Sequence, residues 1–157
     1  MKTITYFTAI ITLLFLFACS DKENQTSLNN EASLPYALLN KVSGLKVINS
    51  SINNKTHTTA LLYGNQQAIQ RIKANGSPIE KGEKLVWITW HQKSDPNWIG
   101  AIIPGKLISI EIFEAVSGKA NISYQKFDGN AIQIKKDTLG NHNRIEMILK
   151  QKMAILP

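Results

Sequence analysis

The sequence predicts an α+β fold: a mostly antiparallel sheet with one helix inserted after an early strand and another at the C-terminal end. Three observations lead there. Leu107 to Ala115 alternates strictly, with Leu107, Ser109, Glu111 and Phe113 opposite Ile108, Ile110, Ile112 and Glu114, which is the period-two pattern of a strand. Ala68, Ile69 and Ile72 recur at helical spacing just after Asn65. Turn residues (Gly64, Asn75-Gly76, Ser94-Asp95-Pro96-Asn97, Pro104-Gly105, Asp128-Gly129) divide the apolar content into short runs.

Taken in order, Thr56 to Gly64 suits a strand, with His57, Thr59, Leu61 and Tyr63 on one side and Thr58, Ala60 and Leu62 on the other. Gly64 ends it. Asn65 can accept from first-turn amides and so begins a helix reaching about Ala74. Arg71 and Lys73 lie near its C-terminus, where they oppose the dipole, and Asn75-Gly76 stops it. Pro78 to Gly82 is a turn. Lys84 to Gln92 is the second strand, with large groups on both faces: Leu85, Trp87, Thr89 and His91 against Val86, Ile88 and Trp90. Burial or a pocket is expected on each side. Trp98 to Ile103 reads as a third strand closed by Pro104-Gly105, Leu107 to Ala115 as a fourth, and Asn121 to Phe127 as a fifth. Asn141 can cap a final helix that gathers Ile145, Ile148, Leu149 and Met153 on one face.

The N-terminus is a targeting segment rather than part of the fold. Lys2 is followed by an uncharged, mostly apolar run from Ile4 to Ala18, shorter than the ~20 residues of a spanning helix. It ends at Cys19, the one cysteine in the chain. Leu16-Phe17-Ala18-Cys19 resembles the bacterial lipobox, in which the cysteine is lipidated and becomes the new N-terminus. The expected organisation is a lipoprotein signal peptide over 1–18, a flexible tether over 19–33 rich in Ser, Asn, Asp, Glu and Gln, and one domain over 34–157. Ser20 after the cysteine favours the outer membrane, facing the periplasm. A single cysteine allows no intrachain disulfide and no Cys-x-x-Cys site.

The net charge is +7, yet the lysines are scattered and the tightest basic pair is Lys135-Lys136. Nucleic-acid binding needs a clustered stripe, so a solvated surface is the reading; weak attraction to anionic lipid headgroups is compatible with it. No nucleophile–base pair, phosphate loop or metal-spaced histidines can be recognised, so no enzyme activity is assigned. His57 and His142 read as solvated, and Asn75-Gly76-Ser77 and Asn121-Ile122-Ser123 as chance sequons. His91, beside Trp90, is the weak candidate for a metal or haem-iron ligand. Trp87, Trp90 and Trp98 read either as core or as the wall of an aromatic pocket. Glu111 lies among isoleucines and reads either as a buried carboxylate, which needs a partner or a raised pKa, or as sharing a wet face with Ser109, the reading the regular alternation favours.

Several blocks together resemble the cytochrome P-460 family: Leu61-Leu62-Tyr63-Gly64-Asn65 with Ala68, then Ile79-Glu80-Lys81-Gly82-Glu83-Lys84-Leu85, then Trp90 through Gly105, Glu111 in its apolar strand, Tyr124 to Gly129, and Ile148 to Pro157. The resemblance covers roughly residues 34–157 and implies a compact β-rich domain, often a homodimer. Cytochromes of that family hold haem through a C-terminal Cys-x-x-Cys-His and a strand lysine. Here no cysteine follows Cys19, and the lysine position falls at about Trp87. The resemblance is therefore to a haem-less subgroup, with no covalent haem expected. A remaining pocket would lie between the Lys84–Gln92 and Trp98–Ile103 strands and the helix after Asn65, lined by Trp87, Trp90, His91, Trp98, Ile69 and Ile72. The functional expectation is a small-ligand binding or sensing module on an envelope lipoprotein; the alternatives are a noncovalent haem protein or oxidoreductase using His91, or a structural protein acting through dimer contacts.

Overall fold

The computed structural model describes residues 29–74, 78–116, 121–129, 131–135 and 141–154. The expected signal segment, Cys19, most of the expected tether and the expected Asn75-Gly76 helix stop lie outside these residues. The described chain is α+β, as expected. One antiparallel sheet holds six strands in sequence order: β1 (Lys46–Asn53), β2 (Thr58–Gly64), β3 (Lys84–Ser94), β4 (Ile102–Ala115), β5 (Ile122–Asp128) and β6 (Ala131–Lys135). Three α-helices accompany it: α1 (Tyr36–Val42), α2 (Gln66–Lys73) and α3 (Asn141–Leu149), with a 3-10 turn at Asn30–Ala32.

The inserted helix forms for the reason its sequence gives. The Asn65 side chain accepts from Ala68 N at 3.1 Å, which caps α2, and also from Lys84 N at 3.2 Å. Its amide donates to Gly82 O at 2.7 Å. One asparagine thus fixes both the start of α2 and the start of β3. Gly64 lets the helix sit down on the sheet: a Cβ there would come within 2.5 Å of Ile48 Cδ1 and 3.0 Å of Ala68 Cβ.

Both faces of the sheet are covered. On one face Ile48, Ala60, Leu62, Leu85, Trp87 and Phe113 pack with Ala68, Ile69 and Ile72 of α2 and Ile148 of α3. Ile145, Leu149 and Met153 pack at the margin, so the C-terminal apolar stripe is real, although Met153 lies beyond the helix end. On the other face Val86, Ile88, Trp90, Leu107, Ile110, Ile112 and Phe127 are covered by Leu38 and Val42 of α1 and by Ala32 and Leu34. Strand β3 is buried on both sides, which explains its continuous run of large residues.

The structure corrects three sequence expectations here. Trp98–Ile103 is not a strand: Pro96 to Gly100 forms bends and a turn, and β4 runs unbroken from Ile102 through Pro104-Gly105 to Ala115. Pro104 and Gly105 sit at register shifts where Trp90 pairs with Leu107 and Gln92 with Pro104. A bulge tolerates proline, and β5 pairs only with Ser109 to Ala115, so no ladder bond is lost. Second, the edge strands β1 and β6 and the helix α1 escape sequence reading. β1 carries asparagines and serines and buries little, so it shows no alternation. Third, the far end of the tether, residues 29–33, is docked rather than free. Asn29 Nδ2 donates to Pro104 O at 2.6 Å, and Trp90 Nε1 donates to Ala32 O at 2.8 Å.

Candidate functional site

The densest polar constellation on the helix-covered face centres on Glu111. Strand register places it beside Trp87 of β3 and Lys126 of β5. Its carboxylate is almost fully buried, at 1 % exposure, and Ser109 is buried with it. The expected wet face is therefore a covered one. Period two identifies which residues share a face; it does not show that α3, some thirty residues further along, lies across that face. Helix α3 delivers Arg144, whose Nε donates to Glu111 Oε2 at 2.8 Å and whose Nη2 donates to Oε1 at 2.7 Å. Tyr124 of β5 adds its hydroxyl to Oε2 at 2.9 Å. This is a forked, charge-assisted pair, the stronger class of hydrogen bond.

The same guanidinium stands 5.6 Å from the centroid of the Trp87 ring, within cation–π range. Tyr124 in turn packs against Phe113 at 5.0 Å between ring centroids. The hydrogen bond to Glu111 holds the Arg144 pKa above its ordinary value; partial burial opposes this, and the charges of Glu111 and Tyr124 reinforce it. The result is a lock between α3 and three strands, with a permanently charged group closing it.

A second buried ion pair joins α2 to Glu83, the residue just before β3. Arg71 Nε donates to Glu83 Oε1 at 2.6 Å, both side chains being more than nine-tenths buried. Arg71 Nη2 and Glu83 Oε2 are buried and have no hydrogen-bond partner among the described residues. Glu83 also lines a cavity of about 10 Å³ with Ile79, Leu85, Phe113 and Ile122, room for roughly one water.

The expected pocket residues are distributed differently. Trp87, Ile69 and Ile72 do meet, but as parts of one packed core. Trp90 points to the opposite face of the sheet and belongs to the other core. His91 is exposed, and Trp98 is 74 % exposed in the loop between β3 and β4. These six residues therefore do not form one cavity. The reason is the alternation of β3, which sends Trp87 and Trp90 to different sides, and the absence of a Trp98 strand. His57 and His142 are exposed, as expected. Among the described residues no three His, Cys, Asp or Glu side chains group as metal ligands.

What does remain open is a recess on the α1 side of the sheet. It has a volume of about 460 Å³ and is walled by Asn30, Glu31, Ser33, Lys106, Leu107 and Gly129. Sequence reasoning missed it because half of its wall comes from a segment too polar to register as part of a fold. The chain matches no known protein family and no curated protein.

Proposed function

We propose that this chain is a lipid-anchored envelope protein whose cytochrome P-460-like domain is a non-catalytic binding module for a small ligand, held without covalent attachment. The observation that carries the reading is the position of Trp87. By the resemblance it falls at about the position where those cytochromes join a lysine to haem, and its ring belongs to the buried cluster that holds Ile69, Ile72 and Ile148, with Arg144 across it. A ring so placed fills volume that a covalent cofactor would need. The recess at Lys106 and Glu31 is of small-molecule size. Its walls offer one cation, one anion and the polar side chains of Asn30 and Ser33, which suits a small polar or zwitterionic ligand. The lipobox resemblance at Cys19 supports the anchor.

Protein purified from native membranes tests all three elements. Intact mass should show an acylated Cys19 and no covalent haem, and a haem-stained band surviving denaturing electrophoresis would reject the covalent-haem part. Thermal shift against a panel of polar metabolites should find at least one stabilising compound, with the shift lost in Lys106→Ala. A panel with no shift, or a shift unaffected by Lys106→Ala, overturns the recess as the binding site.

A further inference from the structure

The loop between β3 and β4 has the build of a membrane contact. Of the large apolar side chains that stand out in water, three cluster here: Trp98, Ile99 and Ile102, at 74 %, 103 % and 58 % exposure. The loop is ordered by its own bonds. Asp95 N donates to Ala101 O at 3.0 Å, Ala101 N donates to Trp98 O at 3.1 Å, and Asp95 Oδ1 accepts from Asn97 N at 2.8 Å. Gly100, at φ +82, takes the left-handed turn that leaves Trp98 and Ile99 outward. Exposing a tryptophan and two isoleucines on a fixed turn costs solubility and leaves most of their apolar surface in water.

The chain itself indicates what covers this tip. The described fold begins at Asn29, whose side chain is bonded to Pro104 O, two residues along β4 from Ile102. Glu31 is paired with Lys93 Nζ at 3.1 Å, on the strand leading into the same loop. The N-terminal segment therefore arrives at the base of this hairpin. Nine residues, Ser20 to Leu28, separate it from Cys19, a span of at most about 30–35 Å when fully extended. A lipid on Cys19 would hold the bilayer surface within that distance of Asn29, at the base of the hairpin. Tryptophan is the side chain that settles at the headgroup level, with its ring in the apolar boundary and its N–H in the wet layer. Exposed Lys106 stands near the base of the hairpin and favours an anionic surface, while the charge of Lys93 is met by Glu31.

We infer that Trp98, Ile99 and Ile102 form a second membrane contact, inserted into the bilayer interface to which Cys19 is anchored, so that the domain rests on the membrane hairpin-first. This rests on the anchor reading above. It would orient the Lys106 recess, which borders the same strand, close to the headgroups.

The test uses the full protein purified from membranes and reconstituted in phosphatidylcholine–phosphatidylglycerol vesicles containing brominated lipid. Only Trp98 of the three tryptophans is exposed, so bromolipid should quench about a third of the emission if Trp98 sits at the interface. Trp98→Phe should abolish the quenching, and Ile99→Ser with Ile102→Ser should weaken it severalfold. Intact mass of the same sample reports on Cys19 separately. An acylated Cys19 with no quenching overturns the hairpin contact and leaves the anchor standing. An unmodified Cys19 removes the anchor; quenching by bromolipid vesicles added to that protein would still support the contact, and its absence would overturn it. A dimer in detergent that Trp98→Ser dissociates would assign the tip to a second copy and likewise overturn it.

Discussion

Removing Arg144 is the sharpest test of how the helix-covered face is closed. In Arg144→Met the Glu111 carboxylate, 1 % exposed, keeps only the Tyr124 hydroxyl among the three donors described. Leaving a buried charge without its partner costs about 3–5 kcal/mol. The Arg144 side chain is itself 37 % exposed, so water can follow the vacated path and part of that cost is recovered. We expect a loss of about 2–3 kcal/mol. Glu111→Gln should cost less, about 1–2 kcal/mol, because the guanidinium can turn to solvent and the amide oxygen still accepts. The double variant should cost less than the sum of the two, with a coupling of about 1–2 kcal/mol. Urea unfolding followed by circular dichroism, with the slope unchanged between variants, measures all three values. A loss in Arg144→Met below about 0.5 kcal/mol, the size of an ordinary surface substitution, would mean that the fork is not closed in solution and that α3 is held by its apolar side chains alone.

Three further outcomes follow from the same structure. Trp87→Ala should cost about 3–5 kcal/mol in the same urea assay, the range for emptying a packed aromatic site, and should leave metabolite binding at the Lys106 recess unchanged; a small loss accompanied by lost binding would make Trp87 a ligand wall. A Cβ on Gly129 would overlap the Leu107 carbonyl, which is backbone and cannot swing aside, so Gly129→Ala should lower stability by about 1–3 kcal/mol, read as a lower urea midpoint. Burial raises the Tyr63 pKa above 10.0; the unfolded phenol ionises first, so stability present below pH 10 is lost as pH climbs from 10 towards the folded value. Tyr63→Phe should flatten that alkaline decline in a pH series of thermal melts, and an unchanged slope would count against the burial of this hydroxyl.

The parts of the fold legible in the sequence are those whose local chemistry decides them. Asn65 announces α2 because the same side chain that reads as a cap is the cap. Ser109 to Phe113 alternates because Ile110 and Ile112 enter the apolar core on the α1 side while Glu111 faces Arg144 and Tyr124. Leu107 was expected on the face of Phe113, but the register shift beside Trp90 turns it to the face of Ile110 and Ile112. Pro104-Gly105 misled because a turn signature and a bulge signature are the same two residues, and only the partner strand distinguishes them. Glu111 could not be placed from its neighbours in sequence, since what makes it buried is Arg144 and Tyr124, 33 and 13 residues away. Trp87 and Trp90 were legible as large buried rings, yet three positions apart on a strand they must part company. Trp98 was drawn into a pocket that required a strand which its Asp95-Pro96 turn prevents.

The order of the strands has a kinetic meaning. Each strand of the sheet pairs only with those next to it in the chain, so each ladder closes over the segment just before it, the longest of these being residues 65–83 with α2, and can form as soon as its second strand is available. Folding of this kind proceeds with little search and leaves few distant partners to be found. A chain threaded through a translocation channel from its N-terminus could build the sheet hairpin by hairpin, each new strand covering the edge left by the last. The long-range ties come at the margins: Asn29 to Pro104, Arg144 to Glu111, and Ala154 N to Ile48 O at 3.1 Å. The last of these waits for nearly the whole chain, and it fastens the C-terminal segment onto the backbone of β1, the first strand made.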